Sequence, residues 1–136
     1  MSLDAGSHFT RFESRFIVEG PARPLMGPGL DISAKREHNG CLTLRPETGW
    51  IANFEPEQKE NGAIATAIIF PGGGTLATDP EGCIYLQRPL KSDEPTVWYA
   101  GSAWSGAHAY TDGPTWAKAV EAFAETRNQP LRISLH

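Results

Sequence analysis

The chain has 136 residues, a formal net charge of −4 and 10% aromatic residues. That length predicts one domain with its own core, needing no disulfide or metal staple. The acidic balance, with no basic run interleaved with aromatics, excludes the electrostatic footprint of a nucleic-acid binder, and no apolar stretch is long enough for a spanning helix.

The expected partners therefore include neither nucleic acid nor a membrane. Met1-Ser2-Leu3 reads as an expression leader. Residues 1–7 are set apart as leader and disordered start, and residues 8–136 as a single β-sandwich domain.

In chain order, residues 9–19 alternate as a half-buried antiparallel strand, with Phe12, Ser14, Phe16 and Val18 on one face. Residues 20–29 are rich in Pro and Gly and read as a loop. Residues 30–36 give a second strand. Asn39-Gly40 is the strongest hairpin signal in the chain, and residues 41–45 return as a strand. Residues 50–55 form a short strand, and residues 56–62 a solvated loop. Residues 63–70 are almost wholly apolar, as a central strand would be. The run Pro71-Gly72-Gly73-Gly74 is a turn and not a phosphate loop, because no Gly-Lys-Ser/Thr follows. Residues 75–78 and 83–88 are further strands. Cys41 and Cys83 each open a strand after a glycine and read as buried free thiols.

Residues 95–116 (PTVWYAGSAWSGAHAYTDGPTW) concentrate large aromatics beside small residues. Residues 97–103 alternate with period two, placing Trp98, Ala100, Ser102 and Trp104 on one face and Val97, Tyr99, Gly101 and Ala103 on the other. Gly101 signals a bulge or a close backbone approach. Residues 113–127 form one helix, capped by Thr111 or Asp112, with Pro114 in its first turn and Trp116, Val120 and Phe123 on one stripe. Residues 131–135 read as a closing strand. The fold class is mainly β, an antiparallel sandwich with one C-terminal helix.

An aromatic ring covers the apolar C–H face of a sugar while nearby polar groups orient it. Trp104, Tyr99 and Trp50 are the candidate stacking residues, with Trp104 foremost because Ser105-Gly106 follows it at a strand end. Core filling is the competing role for every one of them. Arg36 and His38 would hold an acidic group, and His108 would donate to a hydroxyl or an acid. Among the strand-borne carboxylates Glu13, Glu37, Glu47, Glu55 and Glu57, Glu55 is the catalytic candidate, because a carboxylate pair can act as acid and base on a glycosidic bond. His8, His38, His108 and His136 show no HxH, HExxH or HxxxH spacing, so neither metal nor cofactor is expected. No GxSxG motif supports nucleophilic hydrolysis.

The run from Trp98 to Ser105 (WYAGSAWS), Trp116 in the following helix and the ending Gln129-Pro130-Leu131-Arg132-Ile133-Ser134-Leu135 resemble the C-terminal end of domain-of-unknown-function family 4861. Gly49-Trp50, Glu55-Pro56 and the run Gly62-Ala63-Ile64-Ala65-Thr66-Ala67 are similar to it as well. The resemblance implies part of a galactose-mutarotase-like supersandwich, in bacterial proteins found among polysaccharide-degradation genes. It implies a periplasmic or secreted location and an oligosaccharide or polysaccharide partner, often acidic. Family members are longer than this chain. A sheet cut from a larger one leaves open edges, through which a homo-oligomer would form. The expected function is a carbohydrate-active domain acting on or binding a glycan. A non-catalytic glycan-binding module and a structural domain without ligand are the alternatives.

Overall fold

The computed structural model describes residues 1–3, 6–32 and 40–129. Ten strands and one helix follow in chain order: β1 (Ser2–Leu3), β2 (Phe9–Arg15), β3 (Leu25–Met26), β4 (Gly29–Asp31), β5 (Cys41–Arg45), β6 (Trp50–Phe54), β7 (Ile64–Ile69), β8 (Thr75–Thr78), β9 (Cys83–Pro89), β10 (Pro95–Trp104) and α1 (Gly113–Asn128). Six strands form one antiparallel sheet in the order β1-β2-β10-β7-β6-β5. In the small second sheet β9 is central, with β8 on one side and β3 and β4 on the other. The fold is mainly β, as its sequence pattern predicts, and the helix adds a layer on the far side of the six-stranded sheet.

The alternation of β10 decides what lies on each face. Val97, Tyr99 and Ala103 turn toward α1, in a core with Phe9, Trp50, Phe54, Ile69, Trp116 and Val120. Trp98 and Ala100 turn toward the small sheet and pack with Ile51, Ile68, Leu30 and Ile84. Gly101 is a close approach and not a bulge: a Cβ there would lie 2.5 Å from the Phe9 ring and 3.4 Å from Trp116. Its absence lets Phe9 lie parallel to Trp116, with ring centroids 5.7 Å apart.

Helix α1 begins where Asp112 accepts a hydrogen bond from the Thr115 N–H at 2.8 Å, which holds the Asp112 carboxyl below its ordinary pKa. Its buried residues Trp116, Val120 and Ala124 recur every four positions, so they share one stripe. Trp116 is completely buried, and its indole N–H donates to the Thr66 carbonyl at 3.0 Å. At the other end, Asn128 donates to the Thr48 carbonyl at 2.8 Å and accepts from the Gly72 N–H at 3.0 Å, tying the last turn to two sheet turns. The Pro-Gly-Gly-Gly turn is fastened by Arg88, whose guanidinium lies 3.7 Å from the Phe70 ring centroid and donates to the Pro71 carbonyl at 2.6 Å. Burial lowers the Arg88 pKa.

Several sequence expectations are corrected. Ser2 and Leu3, set apart as leader, pair with Arg11 and Thr10 as an edge strand. The strand from residue 9 ends at Arg15. Beyond it Ile17 is 77% exposed, and the Val18 N–H donates to the Ser92 hydroxyl instead of continuing a ladder. Leu25–Met26 is a strand inside the stretch read as a loop. The strands flanking Asn39-Gly40 do not form a hairpin with each other: β4 pairs with β9, and β5 pairs with β6 in the other sheet. Cys41 is exposed and Cys83 partly buried, and both thiols are free. Arg36, His38 and the closing strand at residues 131–135 lie outside the described residues.

Replacing Trp116 by Ala removes the largest fully buried side chain and leaves the Thr66 carbonyl without its indole donor. We expect a loss of about 3–5 kcal/mol in urea unfolding. A loss below about 1 kcal/mol would contradict this packing.

Candidate functional site

The site grows from the far ends of β6, β7 and β10. Trp104 pairs with Ile64, and the Glu55 N–H donates to the Ile64 carbonyl at 2.9 Å, so Glu55, Ile64 and Trp104 lie in one row across three strands. Their neighbours Phe54, Ala65 and Ala103 belong to the helix-side core. By alternation the row therefore faces the other way, toward the side of the small sheet. The next row on that face is Leu42, Asn53, Thr66 and Ser102. The small sheet packs over Ile51, Ile68, Trp98 and Ala100. It stops short of these two rows: Trp104 is 53% exposed, Ile64 51% and Leu42 39%.

Trp104 is exposed but held. Its indole N–H donates to the Asn61 carbonyl at 2.8 Å, within the 3-10 turn Lys59–Asn61. Its ring lies against Gly106, where a Cβ would overlap it. Gly106 sits in a second 3-10 turn, Ser105–Ala107, clipped to β7 on both sides. The Ser105 N–H donates to the Ala63 carbonyl at 2.9 Å, and the Ser105 hydroxyl accepts from the Ala63 N–H at 2.8 Å. His108 closes that turn in the left-handed region (φ 60), a conformation that costs a non-glycine residue about 1–2 kcal/mol.

The two turns frame a cleft of about 390 Å³ lined by Trp104, Phe54, Glu57, Lys59, Glu60, Ser105, His108 and Thr111 among others. It offers an aromatic surface, hydroxyls, an imidazole, two carboxylates and an ammonium group. These groups can stack on an apolar ligand face and bond its polar rim.

Of the residues chosen from sequence, Trp104 and His108 share this cleft, and Glu55 lies in the adjoining row. Trp50 and Tyr99 do not join them. They are 2% and 8% exposed in the helix-side core, where Tyr99 meets Phe123 edge-on and Arg127 covers its ring at 5.4 Å. Their odd position in the alternation turns them to the covered face, so neither ring is open to stack on a ligand. Sequence reasoning missed Glu60, Lys59, Thr111 and Asn53. The first three stand in loops without a periodic pattern. Asn53 did carry a signal, as the one polar residue in the strand Trp50-Ile51-Ala52-Asn53-Phe54. Among the described residues no group of three or more His, Cys, Asp or Glu is arranged to hold a metal ion.

A helix-backed antiparallel sheet, half covered on its other face and carrying an anchored tryptophan at the uncovered end, defines the class of domain. The chain belongs to the family described as "Domain of unknown function (DUF4861)", whose model matches residues 1–133. It is 30% identical over 142 aligned residues to "Uncharacterized protein P7" of Formosa agariphila, an alignment that takes in 99% of this chain and 34% of that protein. The chain thus spans about a third of the length of that curated relative. No solved structure matches it.

The contact between Gly106 and the indole is testable. Gly106→Ala should displace the ring, moving the Trp104 indole cross-peak in a ¹H–¹⁵N spectrum and costing about 1 kcal/mol of stability. An unmoved peak with unchanged stability would show that Gly106 does not set the ring position.

Proposed function

We propose that this chain carries the glycan-binding face of a carbohydrate-active protein of the polysaccharide-degrading kind. The observation that carries the reading is Trp104: half exposed, fixed at its indole N–H by Asn61 and backed by Gly106. A large aromatic surface immobilised before binding loses little conformational entropy when a ligand arrives. Glu55, Ser102 and Thr66 lie on the same sheet face, and Glu57, Glu60 and His108 line the adjoining cleft. They supply the polar rim that an oligosaccharide needs. Binding is the part of the expected function that this geometry supports best. A catalytic role for Glu55 within the longer protein is the extension of the same reading.

A second copy of the chain would add at β1 or β5, the outer strands of the six-stranded sheet, each paired on one side only. We include such pairing in the proposal as the route to a homo-oligomer.

The test is a tryptophan-fluorescence titration with neutral and acidic oligosaccharides. A saturable change is expected, and Trp104→Ala should weaken binding by about 2 kcal/mol, roughly thirtyfold. No response to any glycan, or full binding by the variant, would refute the reading.

A further inference from the structure

We infer that Asn53 forms a second, uncharged subsite that receives the hydroxyl edge of a neutral sugar ring. The inference rests on the glycan-binding reading and deepens it.

Asn53 is the one buried polar residue among the described residues, at 3% exposure. A buried carboxamide offers an acceptor oxygen and two donor hydrogens, and such groups are nearly always satisfied within the protein. Within the described residues no side-chain hydrogen bond reaches Asn53, yet no buried side-chain N or O atom there is both sealed from solvent and unpartnered. The amide therefore keeps contact with a cavity, and Asn53 lines one of about 220 Å³ with Ile32, Gly40 and Leu42.

A polar group held in an apolar wall without a partner costs about 1–3 kcal/mol by mutational measures. The strand retains it where Val or Leu would pack at no such cost. A ligand that brings matching groups recovers that cost on binding.

The geometry points to the kind of group. Asn53 sits between Leu42 and Thr66 in the row that ends at Ser102, directly beside the row of Glu55, Ile64 and Trp104. A glycan lying along this face meets Trp104 with one ring and reaches Asn53 with another. Neighbouring rows on one face lie two residues apart along each strand, about 7 Å. A carboxamide bonds two adjacent hydroxyls at once, donating to one and accepting from the other. Ile32 and Leu42 offer apolar surface to the ring's C–H groups. Neither they nor Gly40 brings a charge, so a carboxylate or sulfate entering this cavity would lose its hydration without a counter-charge there. The subsite therefore selects an uncharged unit, whatever charge the rest of the glycan carries.

The test uses the full chain, ¹⁵N-labelled, titrated with the methyl glycosides of glucose, galactose and mannose and with that of glucuronic acid. The Asn53 side-chain amide pair, assigned by its loss in Asn53→Leu, is the readout, and the Trp104 indole peak is followed in the same spectra. At least one neutral glycoside should shift the Asn53 pair saturably, and the glucuronide at equal concentration should not. Asn53→Leu should weaken that glycoside at least tenfold while melting no lower than the parent chain, because no internal hydrogen bond is lost. Asn53→Ser serves as the smaller replacement if leucine perturbs the fold. Movement of the Trp104 peak alone would overturn the subsite and leave the glycan-binding face standing. Movement of neither peak would overturn both. A glucuronide that shifts the Asn53 pair as strongly as the neutral sugars would overturn the charge selectivity, and a large drop in melting temperature for both variants would show Asn53 to be structural.

Discussion

The burial of Trp116 is the interaction on which the rest of this structure depends. Its ring fills the space left by Gly101, stacks on Phe9 and sends its indole N–H to the Thr66 carbonyl. That placement commits one whole face of the six-stranded sheet to the helix. Because side chains alternate along a strand, it also commits the intervening residues to the opposite face. Thr66 stands at the junction. Its carbonyl anchors the helix, and its side chain lies in the row with Asn53 and Ser102 on the opposite face. A one-residue slip of β7 would lose the anchor and invert the candidate site together.

The second face is covered unevenly. The strands of the small sheet are two to seven residues long and pack over the row of Ile51, Ile68 and Ala100. The two rows beyond keep an open mixture of one aromatic ring, aliphatic side chains, hydroxyls, an amide and a carboxylate. Isolated exposed apolar residues need no explanation. Trp104 differs because two separate turns hold it in place: Lys59–Asn61 through a hydrogen bond and Ser105–Ala107 through contact. A side chain left outside for want of core space would not be tied down from both sides.

Much of this architecture was legible in the sequence. The period-two pattern of residues 97–103 sorted the faces of β10 correctly, and Ser105-Gly106 marked Trp104 as the aromatic at a strand end. The spacing of Trp116 and Val120, with Asp112 as cap, placed the helix to within a residue at its C-terminal end. What failed had a common cause: local signals do not say which strand pairs with which. Asn39-Gly40 looked like a hairpin, yet the chain changes sheets between β4 and β5. Trp50 and Tyr99 shared the aromatic chemistry of Trp104, but only the side on which the helix packs reveals that they are core. Asn53 was passed over because its interest lies in what surrounds it, an apolar cavity built from residues distant in sequence.

The central claim is that ligand binds the half-covered sheet face and not the largest cavity, the space of about 450 Å³ between Glu47, Thr48, Gly72 and the last turns of α1. Hydrogen–deuterium exchange with and without a mixed oligosaccharide digest separates the two directly. The account predicts slowed exchange in residues 53–66 and 102–108 with the helix unchanged. Protection centred on residues 46–49, 72–74 and 121–129, with none around Trp104, would contradict it.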